Sequence, residues 1–190
     1  NLITIGLPAY KSKYLKTAID SVLNQTYTNF DFVILNSYGN KKIRDIVLSY
    51  NDKRISYYEN NENPDVVDNW NNVLNYSKGD FFILFADDDI YESSYLEEMV
   101  SLSLKYKKCN IFYCRSRQID KNNNIITYST ICPEFESCIE FVWGRFFGNR
   151  LQYAANFMLR RKELMKIGGF YNFPLAWCSD DATWFMLSKN

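Results

Sequence analysis

The chain has 190 residues, 47% of them hydrophobic and 17% aromatic, which excludes disorder and gives one domain of ordinary size enough apolar surface for a core. Lys plus Arg and Asp plus Glu number 22 each, so the formal net charge is zero and no basic field points toward nucleic acid or an anionic membrane. With no histidine, a Ser/His/Asp or Cys/His hydrolase is excluded, and any general base must be Asp, Glu, Lys, Tyr or Cys.

Leu2 to Leu7 is an apolar, β-branched run expected to form a first strand and to stop at Pro8. Ser12 is the expected N-cap of a helix whose apolar positions Tyr14, Leu15, Ala18, Ile19, Val22 and Leu23 keep a helical period. Asp31 to Leu35 reads as a second strand, followed by the turn Asn36-Ser37-Tyr38-Gly39 and a helix with Ile43, Ile46, Val47 and Tyr50 on one face. Arg54 to Glu59 is a shorter strand and Asn60 to Pro64 a polar loop; Val66, Val67, Trp70, Val73 and Leu74 mark a third helix.

The run Gly79 to Ile90, G-D-F-F-I-L-F-A-D-D-D-I, then sets five large apolar residues, Phe81 to Phe85, against Asp87, Asp88 and Asp89. A short apolar run bounded by glycine fits a central parallel strand covered on both faces. Its carboxyl end is where open α/β sheets place ligands. A single aspartate there would be an ordinary N-cap, but three adjacent carboxylates repel one another unless a cation or solvent relieves them. This favours a hard divalent ion, Mg²⁺ or Mn²⁺, which takes carboxylate oxygens and shares its shell with substrate phosphates.

Ser94-x-x-Glu97 has the form of a capping box for a helix carrying Tyr95, Leu96, Met99, Leu102 and Leu104. Strands alternating with helices over this half predict a doubly wound, mostly parallel sheet. The second half is mixed: a strand at Ile111 to Arg115, a polar turn at Lys121 to Asn124, a returning strand at Ile125 to Tyr128, and a helix with Ile139, Val142, Trp143 and Phe146. Tyr153 to Leu159 is expected as another strand, Arg161 to Ile167 as a short helix ended by Gly168-Gly169, and Ser179 or Asp180 as the cap of a last helix.

The five cysteines, Cys109, Cys114, Cys132, Cys138 and Cys178, are odd in number and form no C-x-x-C pair, which argues against a disulfide framework and a zinc site; buried thiols are expected. No apolar run approaches the roughly 18 residues of a spanning helix and no leader signal opens the chain, so a cytoplasmic location is the expectation, with peripheral contact at the inner membrane face. The chain opens without Met and stops inside a helical pattern, so further sequence beyond residue 190 is expected.

In order along nearly the whole chain, several segments resemble the family-2 inverting glycosyltransferases of the nucleotide-diphospho-sugar (GT-A) fold. I-T-I-G-L-P-A-Y is similar to the family's first strand and P-T/A-Y-N turn, and Tyr14-Leu15 through Ser21-Val22-Leu23-Asn24-Gln25-Thr26-Tyr27 to its Y-L-x-x-A-I-x-S-V-L-x-Q-T-Y helix. Asn71 sits like the family's Asn before its G-E/D-Y/F-I strand, and Ala86-Asp87-Asp88-Asp89 falls where its D-x-D-D metal motif lies. Arg160-Arg161 with Ile167-Gly168-Gly169-Phe170 looks like the segment bordering the acceptor, and Ser179-Asp180-Asp181 falls on the family's E-D pair.

The resemblance implies a single GT-A domain, a nucleotide-sugar half over about 1–108 and an acceptor half over about 109–190. It implies a metal-dependent, inverting transfer of a sugar from a nucleotide-diphosphate donor, UDP favoured, to a hydroxyl of a saccharide or lipid-linked acceptor, in surface polysaccharide synthesis. Pro8, Ala9 and Tyr10 would border the nucleotide, with Asn36, Asn71, Asp87 and Asp88 binding the nucleotide sugar. Asp89, with Asp87, would hold the metal, and Asp181 would be the base, with Asp180 its rival. Two departures stand out: Ala86 replaces the first motif aspartate, leaving Asp87 to stand in on the ribose, and Asn36-Ser37 replaces the acids that hold the base. They motivate an alternative, a catalytically silent saccharide- or nucleotide-binding relative. A nucleotidyltransferase is disfavoured, because Pro8-Ala9-Tyr10-Lys11 lacks the glycines of its phosphate loop.

Overall fold

Ile3–Ala9 (β1) and Phe30–Asn36 (β2) are near-continuous apolar strands, as strands covered on both faces must be. A computed structural model of the chain describes residues 1–190 except Asn61, Asn63, Asn149 and Asn190, so the expected polar loop at 60–64 lies partly outside the described residues. Leu15–Leu23 (α1) connects the two strands, and Lys41–Leu48 (α2) leads to Ile55–Glu59 (β3). Val66–Tyr76 (α3) precedes Phe81–Leu84 (β4), and Tyr95–Lys105 (α4) precedes the short Ile111–Tyr113 (β5). Arg117–Ile119 (β6) and Ile125–Tyr128 (β7) form a separate antiparallel ribbon. Cys138–Phe147 (α5), Phe157–Arg160 (β8), Arg161–Lys166 (α6) and Ser179–Ser188 (α7) complete the chain.

The main sheet has the order β3-β2-β1-β4-β8-β5, with β1 to β4 parallel and β8 antiparallel to both its neighbours. Alternate residues of each strand feed opposite layers. Ile5, Phe32 and Ile83 pack with α1, α2 and α4 through Ile19, Val47 and Leu96. Leu35, Phe82 and Leu159 pack with α3, α6 and α7 through Val73, Leu164 and Trp184. Gly6 is required by this second layer, since a Cβ there would lie 2.3 Å from Val73 Cγ1. Thr4, fully buried, accepts from the N–H of Gly79 at 2.8 Å and donates to Asp31 at 2.7 Å, tying the entry of β4 to β1.

Several local expectations are corrected. Pro8 lies within β1 because the backbone on that side faces β4, and β4 ends opposite Gly6, so Pro8 has no ladder bond to forfeit. The cap of α1 is Tyr14, not Ser12, after a turn that delays the helix. Ser94 makes no side-chain cap; Glu97 instead accepts from the Thr26 hydroxyl at 2.8 Å. The ribbon strand β6 was not expected, and β7 pairs with it rather than with β5. Tyr153 precedes a 3₁₀ turn at Ala154–Asn156, so the strand starts at Phe157. In α5 the packed side is Phe141 and Gly144, while Ile139, Trp143 and Phe146 face out. The cysteines are half-buried rather than buried, and Cys178 is exposed.

Candidate active site

β1, β2 and β4 deliver their carboxyl ends to one crevice. The chain winds outward through β2 and β3 and returns on the other side of β1 as β4, so the strand order reverses beside β1, the place where open α/β sheets hold ligands. Asp87, in the turn after β4, reaches across to the end of β1. One of its oxygens accepts the backbone N–H of Tyr10 at 2.7 Å and of Lys11 at 2.5 Å. Asp87 is thus a buried brace for the turn that Pro8, Ala9 and Tyr10 introduce, with one oxygen already used twice.

Asp88 is exposed and Asp89 half-buried beside it, and among the described residues no hydrogen-bond donor reaches either carboxylate. Burial first, then the charges of Asp88 and Asp87, push the Asp89 carboxyl up to about 6. Among the described residues no three His, Cys, Asp or Glu side chains converge to cage an ion. Mg²⁺ and Mn²⁺ need no such cage, since one or two carboxylates plus substrate phosphates suffice. A partly desolvated carboxylate without a donor fits that requirement. Asp88 and Asp89 both stand without protein donors here, while Asp87, the expected partner of Asp89, has one oxygen engaged by the β1 turn and its second without a hydrogen bond among the described residues.

Between the ends of β1 and β2 lies a cleft of about 490 Å³ lined by Ala9, Tyr10, Asn36, Tyr38, Asn40 and Ile43. The Tyr10 and Tyr38 rings meet edge to face, 5.3 Å between centroids, and both are largely exposed. Asn36 is fully buried at the floor. Its oxygen accepts the Asn40 N–H at 2.9 Å, and its NH₂ donates to the Asn40 carbonyl at 3.0 Å and the Tyr57 hydroxyl at 2.9 Å. The amide expected to bind the nucleotide sugar is thus engaged in the β2–α2 turn and with Tyr57. Tyr57 in turn donates to Glu59, which Arg44 and Tyr57 together hold down to about 2.

Asn71 is also engaged elsewhere. Its amide accepts the Phe170 N–H at 2.8 Å and donates to the Phe170 carbonyl at 3.0 Å, pinning the Gly168-Gly169 turn onto α3. Both glycines have positive φ, and a Cβ on Gly169 would lie 2.4 Å from the Asn71 oxygen, so this turn needs glycine there.

A second cluster forms at the start of α7, whose cap is Cys178 in a left-handed conformation rather than Ser179 or Asp180. Leu175, Ala176 and Cys178 all have φ between 54° and 59°. Such strain concentrates at functional loops. Asp180 accepts the Asp181 N–H at 2.9 Å, and burial raises its carboxyl above the usual range. Asp181, nearly buried, takes a two-point contact from Arg145 of α5, at 2.7 and 3.3 Å. The third nitrogen of Arg145 donates to the Arg150 carbonyl at 2.6 Å.

The segment after α5 ties the clusters together: Arg150 is bonded to Arg145, and five residues on, the Ala155 carbonyl accepts from Tyr91, two positions after Asp89. Arg145 and Arg150 were missed in the sequence, because nothing in its spacing pairs Arg145 with an acid 36 residues away. Of the tryptophans, Trp184 is core and stacks on Phe157, Trp70 meets Phe170 edge-on, and Trp143 and Trp177 are exposed. Among the described residues no helix is long and apolar enough to cross a membrane.

Comparison with known proteins bears on this arrangement. The chain is 29% identical over 134 residues to the Escherichia coli UDP-Glc:alpha-D-GlcNAc-diphosphoundecaprenol beta-1,3-glucosyltransferase, covering 70% of this chain and 52% of that one. The structure of S. aureus TarS 1-349 in complex with UDP superposes with a TM-score of 0.73 at 14% identity, over 98% of this chain and 54% of that one. The mannosyltransferase PcManGT from Pyrobaculum calidifontis, in complex with GDP-Man and Mn²⁺, gives 0.64 at 14% identity, over 90% and 47%. The chain therefore spans about half the length of these proteins, and the structural likeness shows the GT-A fold. The family model for Glycosyl transferase family 2 matches residues 4–173, and the chain belongs to that family.

Proposed function

We propose that the chain carries the donor site and the base of a metal-dependent inverting glycosyltransferase. It would transfer a sugar from a nucleotide-diphosphate donor, UDP favoured, to a hydroxyl of a saccharide or lipid-linked acceptor in surface polysaccharide synthesis. The carrying observation is the meeting of the β1, β2 and β4 ends, with Asp88 and Asp89 left without protein donors beside the turn that Asp87 braces. The UDP of TarS, the GDP-Man and Mn²⁺ of PcManGT and the lipid-linked acceptor in the E. coli relative's name support the donor, metal and acceptor classes.

In this reading the cleft beside Tyr10 and Tyr38 receives the nucleoside base, against an aromatic edge and backbone groups rather than the Asn36 amide. Asp87 presets the Tyr10–Lys11 turn that borders the diphosphate. Asp89 and Asp88 would hold Mg²⁺ or Mn²⁺, which when bound neutralises charge on the departing diphosphate. Asp181 accepts the proton of the acceptor hydroxyl as it attacks the anomeric carbon from the opposite face, giving inversion in one displacement. Asp180, one residue away and raised by burial, is the alternative base.

The test combines a panel of nucleotide sugars with two variants, reading transferred product and nucleotide binding separately. Asp181→Asn is expected to abolish transfer and keep binding, and Asp89→Asn to weaken metal-dependent binding. Normal transfer by Asp181→Asn would move the base to Asp180. The engaged Asn36 amide favours the second reading, a silent binding relative, to the extent that the base is held weakly; nucleotide binding without product from any donor would establish it.

A further inference from the structure

The two-point contact on Asp181 is the end of a longer construction. Tyr113, at the carboxyl end of β5, donates its hydroxyl to Glu136; Glu136 is paired with Arg150 at 2.6 Å, and its side chain is 5% exposed. The Arg150 guanidinium sits against Gly144 of α5, in space available only because residue 144 is glycine: a Cβ there would fall 2.2 Å from the Arg150 Cζ. Arg150 then offers its carbonyl to Arg145, and Arg145 grips Asp181. Arg145 bonds both Asp181 and the Arg150 carbonyl, Arg150 pairs with Glu136, and the Arg145 and Asp181 side chains are only 20% and 12% exposed.

We propose that Arg145 is a positioning residue for the transfer step: it fixes the angle and rotamer of the Asp181 carboxylate, and the Tyr113–Glu136–Arg150 chain fixes Arg145. The unequal contacts support this. The 2.7 Å bond holds one carboxylate oxygen closely, while the oxygen at 3.3 Å is more loosely engaged and in this proposal is the one whose remaining lone pair takes the proton. Planar, forked guanidinium sets a carboxylate's orientation as an ammonium cannot, so lysine would keep the charge and lose the alignment.

This inference rests on Asp181 being the base. Its test uses Arg145→Lys and Gly144→Ala in nucleotide release from whichever panel sugar the wild type turns over fastest with Mn²⁺, alongside UDP titration and thermal melting. Misplacing a reacting group by an ångström costs about 100-fold. Arg145→Lys is therefore expected to lose about that much kcat, with donor KM and UDP affinity within about twofold of wild type. Gly144→Ala should lose less, in the same direction. Guanidinium ion added to Arg145→Ala should recover part of its rate. Wild-type kcat in Arg145→Lys overturns the inference while leaving the proposed function standing. So does a kcat loss in Arg145→Lys that comes with a matching loss of UDP affinity or a collapsed melt, without guanidinium recovery. No turnover of any donor by the wild type overturns both.

Discussion

Asp89 carries a stability penalty that can be measured without substrate. Its carboxyl rises from an ordinary 3.8 to about 6, chiefly through burial, a difference of about two pH units and so about 3 kcal/mol, or about 2 once partial solvent access is allowed for. The sign follows from proton binding. Between about pH 4 and 6 the native state holds this proton more tightly than the unfolded chain does, so metal-free stability falls as pH rises through that window. Asp89→Asn removes the charge. In EDTA at pH 7.5, urea unfolding should find the variant more stable than wild type by about 2 to 3 kcal/mol, shrinking to about 1 at pH 4.5. For a chain of this size that is a melting gain of several degrees at pH 7.5. Mn²⁺ with UDP should raise the wild-type melt and leave the variant's nearly unmoved. A variant no more stable than wild type at pH 7.5 in EDTA would refute the burial argument.

Two further outcomes concern packing. Gly6→Ala should destabilise by about 1 to 3 kcal/mol, because its Cβ would press on Val73 and Phe82 at 2.3 to 2.8 Å. A double-mutant cycle with Val73→Ala in urea should give a favourable coupling, and strict additivity would contradict the clash. Gln152 is buried with both amide atoms unpaired among the described residues, so Gln152→Met should raise the melting temperature, since it removes two buried groups that lack partners. A lower melt would mean that the amide has work in the native state.

The parts of the fold that were legible are those where burial on both faces overrides everything else. Phe81 to Leu84 and Phe32 to Leu35 are central strands whatever surrounds them, and the aspartates after Phe85 do fall at the switch beside β1. Caps were less legible, because an N-cap depends on where the preceding turn lets the helix begin; Ser12, Ser94 and Ser179 are all plausible by type, and none serves. Helix α5 misled for a different reason. It carries two apolar stripes, and the more conspicuous one, with Ile139, Trp143 and Phe146, faces outward, while Phe141 packs beside the close approach allowed by Gly144. Exposed β6 has no alternation to announce it.

At the site, residue types were readable and their partners were not. The sequence presents Asp87, Asp88 and Asp89 as a row; only the fold makes them a brace, a surface carboxylate and a desolvated one. Asn36 and Asn71 stand where nucleotide-binding residues were expected, yet both amides close turns of the scaffold through contacts that no spacing encodes.

The most direct measurement is calorimetric titration of the protein with UDP, in Mn²⁺ and in EDTA, for wild type and Asp89→Asn. The account predicts binding by the wild type in Mn²⁺ that is lost in EDTA, and little metal-dependent binding by Asp89→Asn. UDP binding of equal strength with and without metal, unchanged in the variant, would contradict it.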